Sequence, residues 1–187
     1  MLMITLVAMF MDDLSVVQQF VVWMTFLYIL HEWEEGVYPG GFLDLISQLA
    51  QIPATEEIRR MSRIPTSVFL WVFSVVPFVW HDCTLVVMTM ATFCIFEGFV
   101  HTMGIKLFRL KKFYTPGMVT AHIELVSGIA LIVYLAVNHL GAWYDYVFGP
   151  LLFFPCFMCL QKTLTMMVGI RYRDLPKKIK AVLQNRK

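Results

Sequence analysis

The run His31-Glu32-Trp33-Glu34-Glu35 closes an apolar stretch of the chain. On a helix, His31, Glu34 and Glu35 stand at i, i+3 and i+4 and so share one face. Glu32 falls at the margin of that face and Trp33 points away. Glu97 and His101 form a second pair at i and i+4, with Cys94 and Gly104 on the same face. Those small residues suit the interior of a membrane bundle. Mixed imidazole and carboxylate donors are the ligands of zinc, iron or manganese. His31, Glu34, Glu35, Glu97 and His101 are therefore the candidate metal ligands. A metal held by them would activate water, or oxygen if it is iron. Glu35 or Glu124 would then serve as general base. Glu124 shares its face with Thr120, Ser127 and Gly128, whereas His122 points to nearly the opposite side, with lipid headgroups as its alternative surroundings. Lys162, in one arc with Gln161 and Thr165, is a candidate counter-charge.

These groups must be carried by very apolar elements. Of 187 residues, 59% are hydrophobic and 15% charged, against roughly 25% charged in an ordinary soluble domain. Such a chain reads as an all-α integral membrane bundle of about five spans, placed at 14–36, 65–80, 83–103, 116–138 and 148–170. Thr115-Pro116 reads as the cap and first position of the fourth span. The more polar segment 42–63 reads as an interfacial amphipathic helix, broken at Pro53. The apolar residues 1–11 lack a basic flank and a small-residue cleavage site, and read as an interfacial extension rather than a signal peptide. Cys83, Cys94, Cys156 and Cys159 show no paired framework, and packing is the expected role of the last two.

The basic residues set the orientation. Fourteen of the 15 fall in three segments: Arg59, Arg60 and Arg63; Lys106, Arg109, Lys111 and Lys112; and the tail from Arg171. The loops near His81-Asp82 and 139–146 carry none. Five spans with the N-terminus outside and the C-terminal tail, 171–187, in the cytoplasm satisfy the positive-inside rule at every loop. Trp80, Trp143, Tyr144 and Tyr146 would form the outer aromatic belt. A plasma-membrane or inner-membrane location follows, with membrane lipids as partners. Nothing beyond the basic charge suggests nucleic acid, and the oligomeric state stays open.

Depth then groups the ionisable residues. Glu97 precedes Gly104 by seven residues, about 10 Å of helix, and Glu35, Glu124 and Lys162 reach a similar level near the inner leaflet. A carboxylate at mid-membrane costs roughly 2.5–3.5 kcal/mol on insertion scales. A cluster of them requires protons or cations. The plainer readings are a helix end among headgroups for the glutamates of 32–35 and a structural pair for Glu97 and His101.

His31-Glu32-Trp33-Glu34-Glu35 resembles the His-x-x-Glu-Glu signature of the HXXEE family of small bacterial membrane proteins. Glu97 to His101, Tyr114-Thr115-Pro116-Gly117 and Thr120-Ala121 resemble that family's later blocks. The likeness spans roughly 14–134. It implies a His/Glu active or metal site and supplies no reaction. His31-Glu32-x-x-Glu35 falls one histidine short of the His-Glu-x-x-His zinc protease helix. Glu56-Glu57 with Arg60 lies in a polar stretch, unlike the glutamate pair of intramembrane prenyl-protein proteases. The expected function is a metal-dependent membrane enzyme, a hydrolase or oxidoreductase, acting on a lipid-like or amphiphilic substrate near the inner leaflet. The alternatives are a metal-free proton-transfer isomerase, a proton- or cation-coupled transporter, and a structural membrane protein.

Overall fold

The computed structural model describes residues 13–185, and is helical with no strand among them. The apolar extension 1–11, with Arg186 and Lys187, lies outside the described residues. Helix α1 spans Val16–Gly36, α2 Phe42–Ala50, α3 Glu56–Val79, α4 Thr84–Leu107, α5 Met118–Val137, α6 Asp145–Met167 and α7 Leu175–Asn185. A short 3-10 turn, Tyr172–Asp174, precedes α7. Four of these, α3 to α6, are long and apolar enough to cross a membrane. Helix α1 has 21 residues but is not among the four. Its two early glutamines and its His-Glu-Trp-Glu-Glu end lower its mean hydropathy.

Each start has a local cause. Ser15 and Gln18 close a reciprocal capping box before α1. The Thr55 hydroxyl accepts from the Ile58 amide at the start of α3. That helix begins at Glu56 and runs through Pro65. Residues 56–63 therefore belong to it, and only Phe42–Ala50 is a separate short helix. Proline inside a membrane helix is tolerated where neighbouring groups re-satisfy the backbone. The basic tail also folds, as α7, and packs on α2. Arg59 of α3 pairs with Asp44 of α2.

Long helices alternate in direction. Gln18 at the start of α1 donates to the Phe78 carbonyl at the end of α3. A Cβ on Gly141, between α5 and α6, would lie 2.4 Å from Thr84 at the start of α4. One end of the bundle thus holds the loops 80–83 and 138–144, with exposed Trp80, Trp143 and Tyr144. The other end gathers the close of α1, α4 and α6, the start of α3 and α5, and the basic segments. Helix α4 is the most buried and packs on α5, α6 and α3. Its approach to α5 is close: a Cβ on Gly98 would lie 3.0 Å from the Ala121 carbonyl, and one on Gly128 2.8 Å from that of Ala91. The apolar core, from Met24 and Tyr28 through Phe73, Phe93 and Phe153, fills the middle of the bundle. The polar cluster lies at its basic end.

Candidate metal centre

The end of α1, the last turns of α4 and the loop 108–117 converge with the first turn of α5. Two histidines meet there, with ring centroids 5.0 Å apart and planes at 89°. Their Nε2 atoms converge on one carboxylate oxygen. Glu35 Oε1 stands 3.5 Å from His31 Nε2 and 3.1 Å from His101 Nε2. One donor atom from each of His31, Glu35 and His101 lies within 4.8 Å of the others, so this group could hold a metal ion. Glu97 Oε2 sits 3.9 Å from His31 Nε2 and 3.8 Å from His101 Nε2. His101 is fully buried, while the Glu35 and Glu97 side chains are 18% and 15% exposed.

The hydrogen bonds behind the rings decide which nitrogens are free. His31 Nδ1 is 2.9 Å from the Thr120 hydroxyl. That hydroxyl has one proton, and its other neighbours are pure acceptors: Glu34 Oε2 at 2.6 Å and the Gly117 carbonyl at 3.1 Å. The proton goes to one of them, so Thr120 must accept from Nδ1–H. His31 Nε2 then carries a lone pair. His101 repeats the pattern, with Nδ1 3.1 Å from the Thr115 hydroxyl, which donates to the His101 carbonyl at 3.2 Å. Were Thr115 to donate to Nδ1 instead, Nε2 would hold the proton. Yet Nε2 makes no hydrogen bond, although Glu35 Oε1 is within reach.

With both imidazoles neutral, Nε2 of His31, Nε2 of His101 and Glu35 Oε1 present three lone-pair donors to one another. A cation resolves this repulsion. For metal–ligand bonds of about 2.1 Å, neighbouring donors stand about 3.0–3.4 Å apart in octahedral or tetrahedral shells; Glu35 Oε1 keeps that spacing to His101, at 3.1 Å, and lies just beyond it from His31, at 3.5 Å. Outer partners that fix the tautomer are the usual support of a metal-binding imidazole. The residues present thus fit a divalent zinc, iron or manganese ion.

Glu34, expected among the ligands, does something else. Helix α5 begins after Gly117, which offers no side chain to cap it. Glu34 fills that role from α1. Its Oε1 accepts from the Val119 amide at 3.2 Å and the Tyr114 hydroxyl at 2.8 Å. Its Oε2 accepts from the Thr120 amide at 2.9 Å and from the Thr120 hydroxyl. Four donors fill the four lone-pair positions of a carboxylate, leaving none for a metal. The negative charge also suits a helix N-terminus. Burial and the Glu34 carboxylate hold the Tyr114 phenol above its ordinary range, so it stays a donor. Glu34→Gln is expected to lower unfolding stability by about 1–3 kcal/mol while leaving metal content unchanged. Thermal unfolding beside elemental analysis checks both halves.

Other expectations are redistributed. Lys162 is exposed on α6, which packs against α3 and α4; its depth matched the cluster but its direction does not. His122 Nδ1 bonds the Met118 carbonyl at 2.7 Å and its Nε2 the Thr102 hydroxyl at 3.1 Å, outside the cluster. Glu124 is inward as expected, but fully buried and one helical turn beyond Thr120. Thr115-Pro116 precedes α5 without capping it, because Thr115 is spent on His101.

Sequence reasoning passed over Thr115, Thr120, Tyr114 and Gly117 as site residues. Gly117, at φ +89°, lies against the cluster: a Cβ there would be 2.7 Å from Glu35 Cγ, 2.7 Å from His101 Cε1 and 2.9 Å from His31 Cε1. Their grouping in Tyr114-Thr115-Pro116-Gly117 and Thr120 was the available signal.

The fold and site define a helical bundle with four helices able to cross a membrane and a buried His/Glu group able to hold a metal. A scan against protein-family models and searches of curated proteins and of solved structures found no match to this chain.

Proposed function

We propose that the chain is a five-span membrane protein, with α1 as the fifth span, and a metal-dependent enzyme acting on a lipid-like or amphiphilic substrate at the inner leaflet. The observation that carries the reading is the convergence of the two Nε2 atoms on Glu35 Oε1. When bound, the metal supplies Lewis acidity for a hydrolytic reaction or, as iron, oxygen chemistry. Thr120 and Thr115 hold the imidazoles in the binding tautomer. Glu35 and Glu97, the partly exposed carboxylates of the cluster, are the side chains that meet the reacting groups. The apolar surroundings exclude water and admit a chain-bearing substrate from the bilayer. The likeness to HXXEE proteins accords with this reading, since His31, Glu34 and Glu35 all serve the one cluster.

Incubation of the metal-loaded protein with a total lipid extract in mixed micelles, followed by mass spectrometry, tests the activity. A lipid species consumed by loaded protein, and not by chelator-stripped protein, is expected. No metal-dependent change in any species would contradict it.

The orientation has its own support, because the basic segments gather at the end of the bundle nearest the cluster. Cys83 is exposed at the opposite end. A membrane-impermeant thiol reagent is expected to label Cys83 from outside intact cells, and a cysteine introduced at Lys178 only after the membrane is opened. The reverse pattern would invert the topology.

A further inference from the structure

Glu124 is fully buried and neither of its oxygens has a hydrogen-bond partner among the described residues. Its place in the layers is clear. His31, Thr120 and His101 form one layer around Glu35. Three or four residues further into the bundle along each helix come Tyr28, Glu124 and Glu97. Glu124 lies within electrostatic reach of His31, Glu97 and Glu35. The Tyr28 hydroxyl lies 3.2 Å from Cys94 Sγ, where either atom can donate, and makes no hydrogen bond to Glu124.

One divalent ion in the outer layer balances Glu35 and Glu97 and leaves Glu124 uncompensated. A buried, unpaired carboxylate is among the costliest groups a fold can carry. Adding a proton to one oxygen removes the charge without giving the other oxygen a donor. A second cation answers both problems. Glu97 is placed to share it: one turn before His101 on α4 it belongs to the deeper layer, and its Oε2 stands 3.8 and 3.9 Å from the two histidines, further than Glu35 Oε1. We propose that Glu124 and Glu97 bind a second, hard divalent cation of the manganese or magnesium type, with Glu97 bridging it to the His31–Glu35–His101 ion. Such cations keep several waters and need only one or two carboxylates from the protein. Paired sites of this kind hold their ions about 3.5–4 Å apart. The inference rests on the metal reading of the outer layer.

The test is a manganese titration of the full chain in mild detergent, followed by equilibrium metal analysis and electron paramagnetic resonance. The parent should bind about two ions per chain, with the spectrum of a coupled pair rather than isolated six-line signals. Glu124→Gln should bind about one ion, with an uncoupled spectrum. About one uncoupled ion in the parent would overturn the second site and leave the first intact. No bound ion in the parent would overturn both. If Glu124→Gln fails to fold, the parent's stoichiometry and spectrum still decide.

Discussion

His101→Gln is expected to lower metal affinity by more than about 100-fold, beyond the range that loss of an outer partner produces, while the protein stays folded. His101 is fully buried, and its Nε2 makes no hydrogen bond but faces Glu35 Oε1 at 3.1 Å. Glutamine nearly fills the volume and avoids the cavity that alanine would leave. It can still meet the Thr115 hydroxyl, but it brings no imidazole lone pair to Glu35 Oε1. Competition with a chelator of known affinity reads the effect, and circular dichroism in detergent checks the fold. Unchanged affinity in a folded variant would mean that the two histidines are a structural pair packed by Phe42, whose ring centroid is 4.8 Å from that of His101.

Gly117→Ala is expected to damage the site nearly as much, although residue 117 offers no ligand. Two effects add. The backbone there has φ +89°, where a side chain is strained. The new Cβ would also lie 2.7 Å from both Glu35 Cγ and His101 Cε1, so the cluster must spread. Strain of this kind costs on the order of 1–3 kcal/mol, and displaced ligands lose affinity besides. The expected result is a metal affinity reduced by at least about 10-fold, the lower end for disturbed outer partners, together with a lower unfolding temperature. Gly36→Ala is the control, because a Cβ at Gly36 meets nothing within 4 Å. An affinity equal to that of the control would show that the loop 108–117 yields without moving the ligands.

The two variants probe different parts of what could be read from the residues. Spacing placed His31 with Glu35 and Glu97 with His101, because i and i+4 share a face whatever the helix packs against. It could not separate Glu34 from Glu35. Both lie on that face, and what divides them is the N-terminus of α5, 85 residues from Glu34 along the chain. Glu97 and Glu124 face the inside of the bundle, whereas Lys162 is exposed on α6, since distance along a helix does not set the direction of a side chain around it. The apolar span expected at 65–80 sits within a longer helix, because polar residues 56–63 join it behind the Thr55 cap and Pro65 lies inside. Thr115 and Thr120 carry no chemistry of their own. Their role exists only once three helices and a loop bring them behind the rings.

Elemental analysis of the protein purified in mild detergent, and again after reloading with zinc, iron or manganese, tests the central claim most directly, with a His31→Gln, His101→Gln double variant alongside. Metal near or above stoichiometric in the parent and lost from the folded double variant is the predicted result. No metal in either, before or after reloading, would contradict it, and the converging glutamates would then have to be explained by protons alone.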